Sequence, residues 1–241
     1  MTAAHSVAVT PRMAEPVHHL SEDLLLDYAA GTLDEAASLV VASHLTLCSA
    51  CRSELSRLEA IGGALFATMP PMELSAGALE AALAALESSD LDGLPASASQ
   101  KHAADDRKAS ILPRAVQRYL GGDLDTVAWK RLGMGIETAE ITLSNSDEAK
   151  AGKRSFLLKV PAGKAVPQHT HDGNELVLIL QGSYKDEIGT FAKGDVAISD
   201  GSIDHRPVAG EGESCICLVA TDAPLRLTGP LGAIINLFVR V

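Results

Sequence analysis

Aromatic residues are the scarcest class in this 241-residue chain: one Trp, three Tyr and four Phe, 3% of the total. The hydrophobic fraction is nevertheless 46%, so cores have to be built from Ala, Leu, Val and Ile. Cations are scarce too. Twenty Lys and Arg stand against 31 Asp and Glu, a formal net charge of −11, which argues against a nucleic-acid backbone as the main partner and favours a basic protein surface. The deficit is concentrated near the start: residues 1–86 hold only Arg12, Arg52 and Arg57 against ten carboxylates, a local balance of −7. No apolar run is long enough to span a bilayer, and the N-terminus has no signal-peptide apolar core. The expected compartment is therefore the cytoplasm, with no membrane contact. Thiols stay reduced there, and only four cysteines are present, in two close pairs, Cys48/Cys51 and Cys215/Cys217. In that setting a Cys-x-x-Cys is more often metal-binding or redox-active than a structural disulfide.

The length suffices for two modest domains. Residues 1–17, with Pro11 and Pro16 and no periodicity, read as a disordered leader. Ser21 is placed to cap a short helix that Gly31 ends, and Asp34 to cap a second that runs on to the cysteines. A third helix from about Ser49 to Phe66 carries Leu55, Leu58, Ile61 and Leu65 at helical spacing and stops at Pro70-Pro71. A fourth, Ser75 to Leu86, carries a stripe of Leu79, Leu83 and Leu86, which faces either a partner or the module's own core. Residues 87–110 are rich in Ser, Ala, Asp and Lys and read as a linker, and a brief helix is expected after Pro113. From Val127 the pattern changes to short apolar runs separated by Gly, Asp, Asn and Pro, the signature of a β-sandwich or barrel. The expected fold is α+β in two domains: a bundle of about four helices over 18–86 and a β-barrel over 111–241.

The first run with metal chemistry is His44-Leu45-Thr46-Leu47-Cys48-Ser49-Ala50-Cys51. A His four residues before a Cys shares its helical face, and the second Cys follows at the helix end. One imidazole and two thiolates are three of the four ligands of a tetrahedral zinc site. The fourth is open among His19, its neighbour His18 and the more remote His5. The set His19…His44-x3-Cys48-x2-Cys51 in a helical module of under a hundred residues resembles the zinc-binding anti-sigma domain. That resemblance covers about residues 18–86. It implies four helices that clasp an extracytoplasmic-function sigma factor, with His19, His44, Cys48 and Cys51 on a structural zinc ion. The acidic excess suits a basic sigma surface, and Leu79, Leu83 and Leu86 are candidates for the partner-facing stripe.

The second run is Gly163-x5-His169-x-His171-x3-Glu175-x6-Gly182, with His205 further on. Histidines two apart on a strand share a face, and a bend at Asp172-Gly173-Asn174 can return Glu175 to them. Three imidazoles and a carboxylate suit zinc or another divalent metal, Fe²⁺, Mn²⁺ or Ni²⁺. These residues resemble the first motif of the cupin family, a small β-barrel with metal at its mouth. The second motif matches less fully: Gly194-Asp195 opens it and His205 closes it, but Asp200 and Ser202 stand where Pro and Gly are usual. Cys215 and Cys217 share a face of one strand, either as small core residues or as a reversible thiol pair near the metal that senses oxidation.

A zinc anti-sigma domain followed by a cupin-like domain resembles the ChrR family of anti-sigma factors. The resemblance implies a group IV sigma factor as partner and a signal of singlet oxygen or a related peroxide, received at the barrel site. It implies no enzymatic activity. The competing reading is an Fe(II) dioxygenase-like cupin enzyme with an N-terminal interaction appendage, since such a site leaves positions open for oxygen and substrate. The shortage of aromatics to line an organic-substrate pocket weighs against it.

Overall fold

The computed structural model describes residues 15–88 and 110–228. The first fourteen residues of the expected leader, most of the expected linker (89–109), the last thirteen residues of the expected barrel domain and His5 lie outside the described residues. Six helices and twelve strands follow in chain order. Four helices come first: α1 (Glu22–Ala30), α2 (Glu35–Leu47), α3 (Ser49–Thr68) and α4 (Ala78–Ser88). Next are α5 (Arg114–Leu120), β1 (Lys130–Gly133), β2 (Ile136–Ile141), α6 (Ser146–Lys150), β3 (Arg154–Val160) and β4 (His169–His171). Then come β5 (Glu175–Gln181), β6 (Ser183–Lys185), β7 (Thr190–Ala192) and β8 (Val196–Ser199). The last are β9 (Asp204–His205), β10 (Val208–Ala209), β11 (Cys215–Thr221) and β12 (Leu225–Leu227).

Local chemistry sets the helix ends. The Ser21 hydroxyl accepts from the Leu24 amide at 3.3 Å and the Asp34 carboxylate from the Ala37 amide at 2.8 Å, each satisfying a first-turn donor. Gly31 closes α1 at φ 70°, a left-handed conformation that costs glycine little. α2 ends where Cys48 turns extended (φ −111°, ψ 113°), and α3 begins on the next residue. That kink brings the two cysteines back towards His44.

Residues up to Ala60 and from Ile111 onward form one compact unit, and 61–88 belong to a second. In the first unit all named strand pairs are antiparallel. A six-stranded sheet, in the order β1-β2-β3-β11-β5-β8, is joined by two three-stranded sheets, β10-β6-β7 and β12-β4-β9. This is the helices-then-barrel α+β arrangement that the sequence pattern predicts.

Strands β5 and β11 are buried along both faces, because each face has its own cover. Val177, Ile179, Cys215, Cys217 and Val219 point into the barrel with Tyr184 and Phe191. The alternate residues Leu178 and Leu218, in register with Leu157 of β3, point outward and are wholly buried. They meet Leu39, Val40, Val41 and Leu45 of α2 and Val116 of α5 in a second core. Each such side chain contributes about 1.5–3 kcal/mol by leaving water, so α2 is firmly seated on the outer face of the sheet. A continuous apolar run such as Leu176–Leu180 is what a strand covered on both faces needs.

Candidate metal centres

The N-terminal constellation forms at the junction of the segment before α1 with α2 and α3. One ligand atom from each of His19, His44, Cys48 and Cys51 falls within 4.8 Å of the others. His19 Nδ1 lies 3.2 Å from Cys48 Sγ and 3.7 Å from Cys51 Sγ, and His44 Nε2 lies 3.2 Å from Cys51 Sγ. The Cys51 amide donates to Cys48 Sγ at 3.4 Å. The opposite nitrogen of His44, Nδ1, sits 2.9 Å from the Gly194 carbonyl oxygen. A carbonyl only accepts, so Nδ1 carries the proton and the Nε2 lone pair faces the thiols. Burial lowers the His44 pKa and pushes the Cys51 thiol up to about 11. Imidazole nitrogens and thiols crowded at these distances are what a His2Cys2 zinc set presents, and a divalent cation would displace the thiol protons. The residues fit a structural zinc ion.

His18, the other candidate beside α1, turns the opposite way. Its Nδ1 lies 3.2 Å from Asp195 Oδ2, and its ring packs on Phe191 with centroids 4.4 Å apart.

In the barrel, β4 presents His169 and His171 on one face, β5 begins with Glu175, and β9 ends with His205 directly opposite His169. All four side chains are buried, with ligand atoms within 4.8 Å of one another. The bend before β5 is held by the Asp222 carboxylate, which accepts from the Asn174 amide at 2.7 Å and approaches so closely that a Cβ at Gly173 would collide with it. Without the usual Pro and Gly, the turn at Asp200 closes through its own carboxylate, which accepts from the Ser202 amide and hydroxyl at 2.9 and 2.6 Å.

His205 Nε2 lies 3.1 Å from His169 Nε2 and 3.2 Å from His171 Nε2. The far nitrogen of His205 donates to Asp186 Oδ2 at 2.8 Å, and that of His169 to the Pro167 carbonyl at 2.7 Å. Both rings thus turn Nδ1 outward to an acceptor and bring their Nε2 atoms together at hydrogen-bond distance, where each competes for the same proton or cation. A shared cation is what reconciles them, so these residues also fit a metal. Burial, reinforced by the neighbouring His169 and His205, lowers the His171 pKa to about 4, while burial alone raises Glu175 to about 8. Burial thus disfavours charge on His169, His171 and Glu175 taken singly and invites a compensating ion.

A cavity of about 550 Å³ opens onto this cluster, lined by Leu132, Phe156, Val177, Tyr184, Cys217 and Leu225 among others. Aliphatic side chains are the largest class in the lining, so the shortage of aromatics does not deprive the barrel of an apolar pocket. Cys215 and Cys217 lie in its wall as free thiols, their sulfurs 3.5 Å apart. Their mutual hydrogen bond and burial keep the Cys217 thiol well above its ordinary pKa. Asp186, Asp195 and the Gly194 carbonyl have parts in these sites that sequence reasoning missed. Gly194-Asp195 was legible only as the start of a motif, and Asp186 carried no signal beyond a turn acid.

An antiparallel barrel with a three-histidine, one-glutamate cluster, faced by helices that carry a two-histidine, two-cysteine cluster, defines a cupin-like protein with a metal-clasp helical region. Residues 118–224 match the family described as the ChrR cupin-like domain. The anti-sigma-E factor ChrR of Cereibacter sphaeroides is 42% identical over 224 residues, 93% of this chain and 98% of the relative. A crystal structure of Rhodobacter sphaeroides SigE in complex with the anti-sigma ChrR contains a similar chain. It is 41% identical, with a TM-score of 0.69, and the match covers 85% of this chain and 98% of that one. The chain belongs to the ChrR family of anti-sigma factors, which are regulators and not enzymes. Among the described residues no helix is long and apolar enough to cross a membrane.

Proposed function

We propose that this protein is an anti-sigma factor that sequesters an extracytoplasmic-function (group IV) sigma factor and releases it on oxidative stress, by singlet oxygen or peroxide, sensed through the barrel site. The observation that carries the first half is the likeness to the anti-sigma-E factor ChrR along nearly the whole of both chains. Residues 18–86 are the sigma-binding region in this reading. Supporting it, α4 leaves Leu79, Leu83 and Leu86 at 66%, 51% and 66% exposure, and α3 leaves Leu65 and Phe66 exposed in the same unit. Exposed apolar side chains at helical spacing are what a helix-in-groove partner covers.

His19, His44, Cys48 and Cys51 would hold a structural zinc ion, which supplies a redox-inert cross-link between the leading segment, α2 and α3. His169, His171, Glu175 and His205 would hold zinc or another divalent metal, which supplies a Lewis-acid centre with open positions. Around it, Asp186 and the Pro167 carbonyl fix the orientation of two imidazoles, and the largely apolar cavity gives small uncharged oxidants a path to the site. Cys215 and Cys217, in the same cavity wall, are a reversible thiol pair within reach of that oxidant.

Co-expression with a group IV sigma factor, followed by co-purification and metal counting, tests the reading. The expected result is a 1:1 complex with two metal ions per anti-sigma chain, no oxygen uptake, and dissociation on exposure to singlet oxygen. Failure to form a complex, together with substrate-dependent oxygen consumption, would overturn it.

A further inference from the structure

The turn between β7 and β8 belongs to the barrel, yet its polar groups are spent on the N-terminal segment. Asp195 is buried; its Oδ1 accepts from the Val17 and His18 amides at 2.7 and 2.9 Å, and its Oδ2 from the Ala192 amide at 2.9 Å. The Val196 amide donates to the His18 carbonyl at 3.3 Å. Both polar groups of the His18 backbone are therefore bonded to this turn, and His18 is joined directly to His19. The Gly194 carbonyl accepts from His44 Nδ1, a contact between residues 150 apart. Gly194 lies at φ +95°, and a Cβ there would come within 2.8 Å of Pro16 Cγ, so the close approach requires glycine.

From this turn the chain runs through β8, where Ser199 pairs with Glu175, to β9, where His205 pairs with His169. One segment therefore touches His44 and His18 at its start and supplies His205 at its end.

We propose that the Gly194–Asp195 turn is a positioning element for the His19/His44/Cys48/Cys51 constellation, and that segment 194–205 couples the two metal constellations mechanically. It orients the His44 imidazole through Nδ1 and holds the backbone from which His19 projects, so displacement of His205 loosens both. The inference rests on the reading that both constellations bind metal, and it supplies that reading with a route from the sensing site to the clasp.

The full-length chain loaded with cobalt(II) tests it. Among the two constellations only the N-terminal one contains thiolates, so a sulfur-to-cobalt charge-transfer band reports that site alone, and its decay after addition of EDTA gives the release rate. The direct partner of His44 is the Gly194 carbonyl, and such partners are worth about 10–100-fold in affinity by general experience. Asp195 acts one step further back, through the Val17 and His18 amides and the turn that carries that carbonyl. Asp195→Ala is therefore expected to speed the decay at least threefold and up to about tenfold. Asp195→Asn keeps one acceptor for the Val17 and His18 amides and is expected to fall between. His205→Ala, which touches none of the four N-terminal ligands, is expected to speed the decay at least threefold. Should Asp195→Ala not fold, Val17→Pro removes one amide donor from outside the barrel and is expected to give a threefold or greater effect. Decay within twofold of the parent in the folded Asp195 or Val17 variants overturns the positioning role, and an unchanged rate in His205→Ala overturns the coupling. A parent protein without the band would overturn the metal reading itself, a distinct failure.

Discussion

The Glu35 carboxylate, in the first turn of α2, accepts from the Tyr119 hydroxyl at 2.7 Å and from the Ser144 and Asn145 amides at 2.9 and 2.7 Å. Burial opposes its ionisation, but the Tyr119 hydroxyl and these amides together outweigh it and hold the pKa at about 2 instead of 4.5. Because the folded-state pKa is depressed, its stabilisation is full above pH 4.5 and is lost as the pH falls towards 2. Glu35→Ala is expected to lower stability by about 1–3 kcal/mol at pH 7. Denaturant titrations at several pH values should show the gap to the parent protein closing below pH 4.5; a gap independent of pH would refute the ionic origin. Cys48 is a second residue with a large expected effect, since it is buried among metal-ligand atoms. Cys48→Ser is expected to lose one of two metal equivalents and upward of about 4 kcal/mol, the scale of metal loss. Full zinc content and unchanged sigma affinity in that variant would refute the clasp. Residue types and spacing made His44, Cys48, Cys51, His169, His171 and Glu175 legible, because each set lies within a turn or two of chain. His18 and His19 are adjacent and chemically identical, so only tertiary contacts, the meeting of the His18 amide and ring with Asp195 and Phe191, separate their roles.

Elements were read well where local physics sets them. Ser21 and Asp34 cap helices through their side-chain oxygens, Gly31 ends α1 through its freedom to turn left-handed, and α3 stops short of Pro70. The strand Glu175–Gln181 has the bounds its apolar run suggests. What one element leaves unpaired is also informative. Leu79, Leu83 and Leu86 of α4 are exposed, which favours a partner-facing role over packing on the module's own core. Leu83→Glu is expected to weaken sigma binding by roughly 2 kcal/mol or more, about thirtyfold, the scale of a hot-spot residue. Metal content and melting temperature should stay as in the parent protein. Calorimetric titration with the sigma factor checks this, and undiminished affinity would remove α4 from the interface.

For the whole molecule, the packing of α2 on the outer face of the sheet matters most. Leu39, Val40, Val41 and Leu45 share one core with Leu157, Leu178 and Leu218, so a fragment ending near residue 87 would expose that face to water. Co-expressed with its sigma factor, the fragment is expected to retain binding and to lose the response to oxidant. Alone, it is expected to melt below the full chain and to self-associate. Normal induction by singlet oxygen in a strain carrying only the fragment would show that the barrel is not the sensor. The sequence by itself determined the succession of helices and strands and the two clusters of ligand-type residues, because periodicity, caps and short spacings are local. Only the tertiary structure decided that His19 and not His18 joins the thiols, that Asp186 orients His205, and that Gly194 and Asp195 reach the helical clusters. Those outcomes depend on contacts between residues as far as 178 positions apart, where side-chain direction follows from how the backbone packs and no local pattern records it.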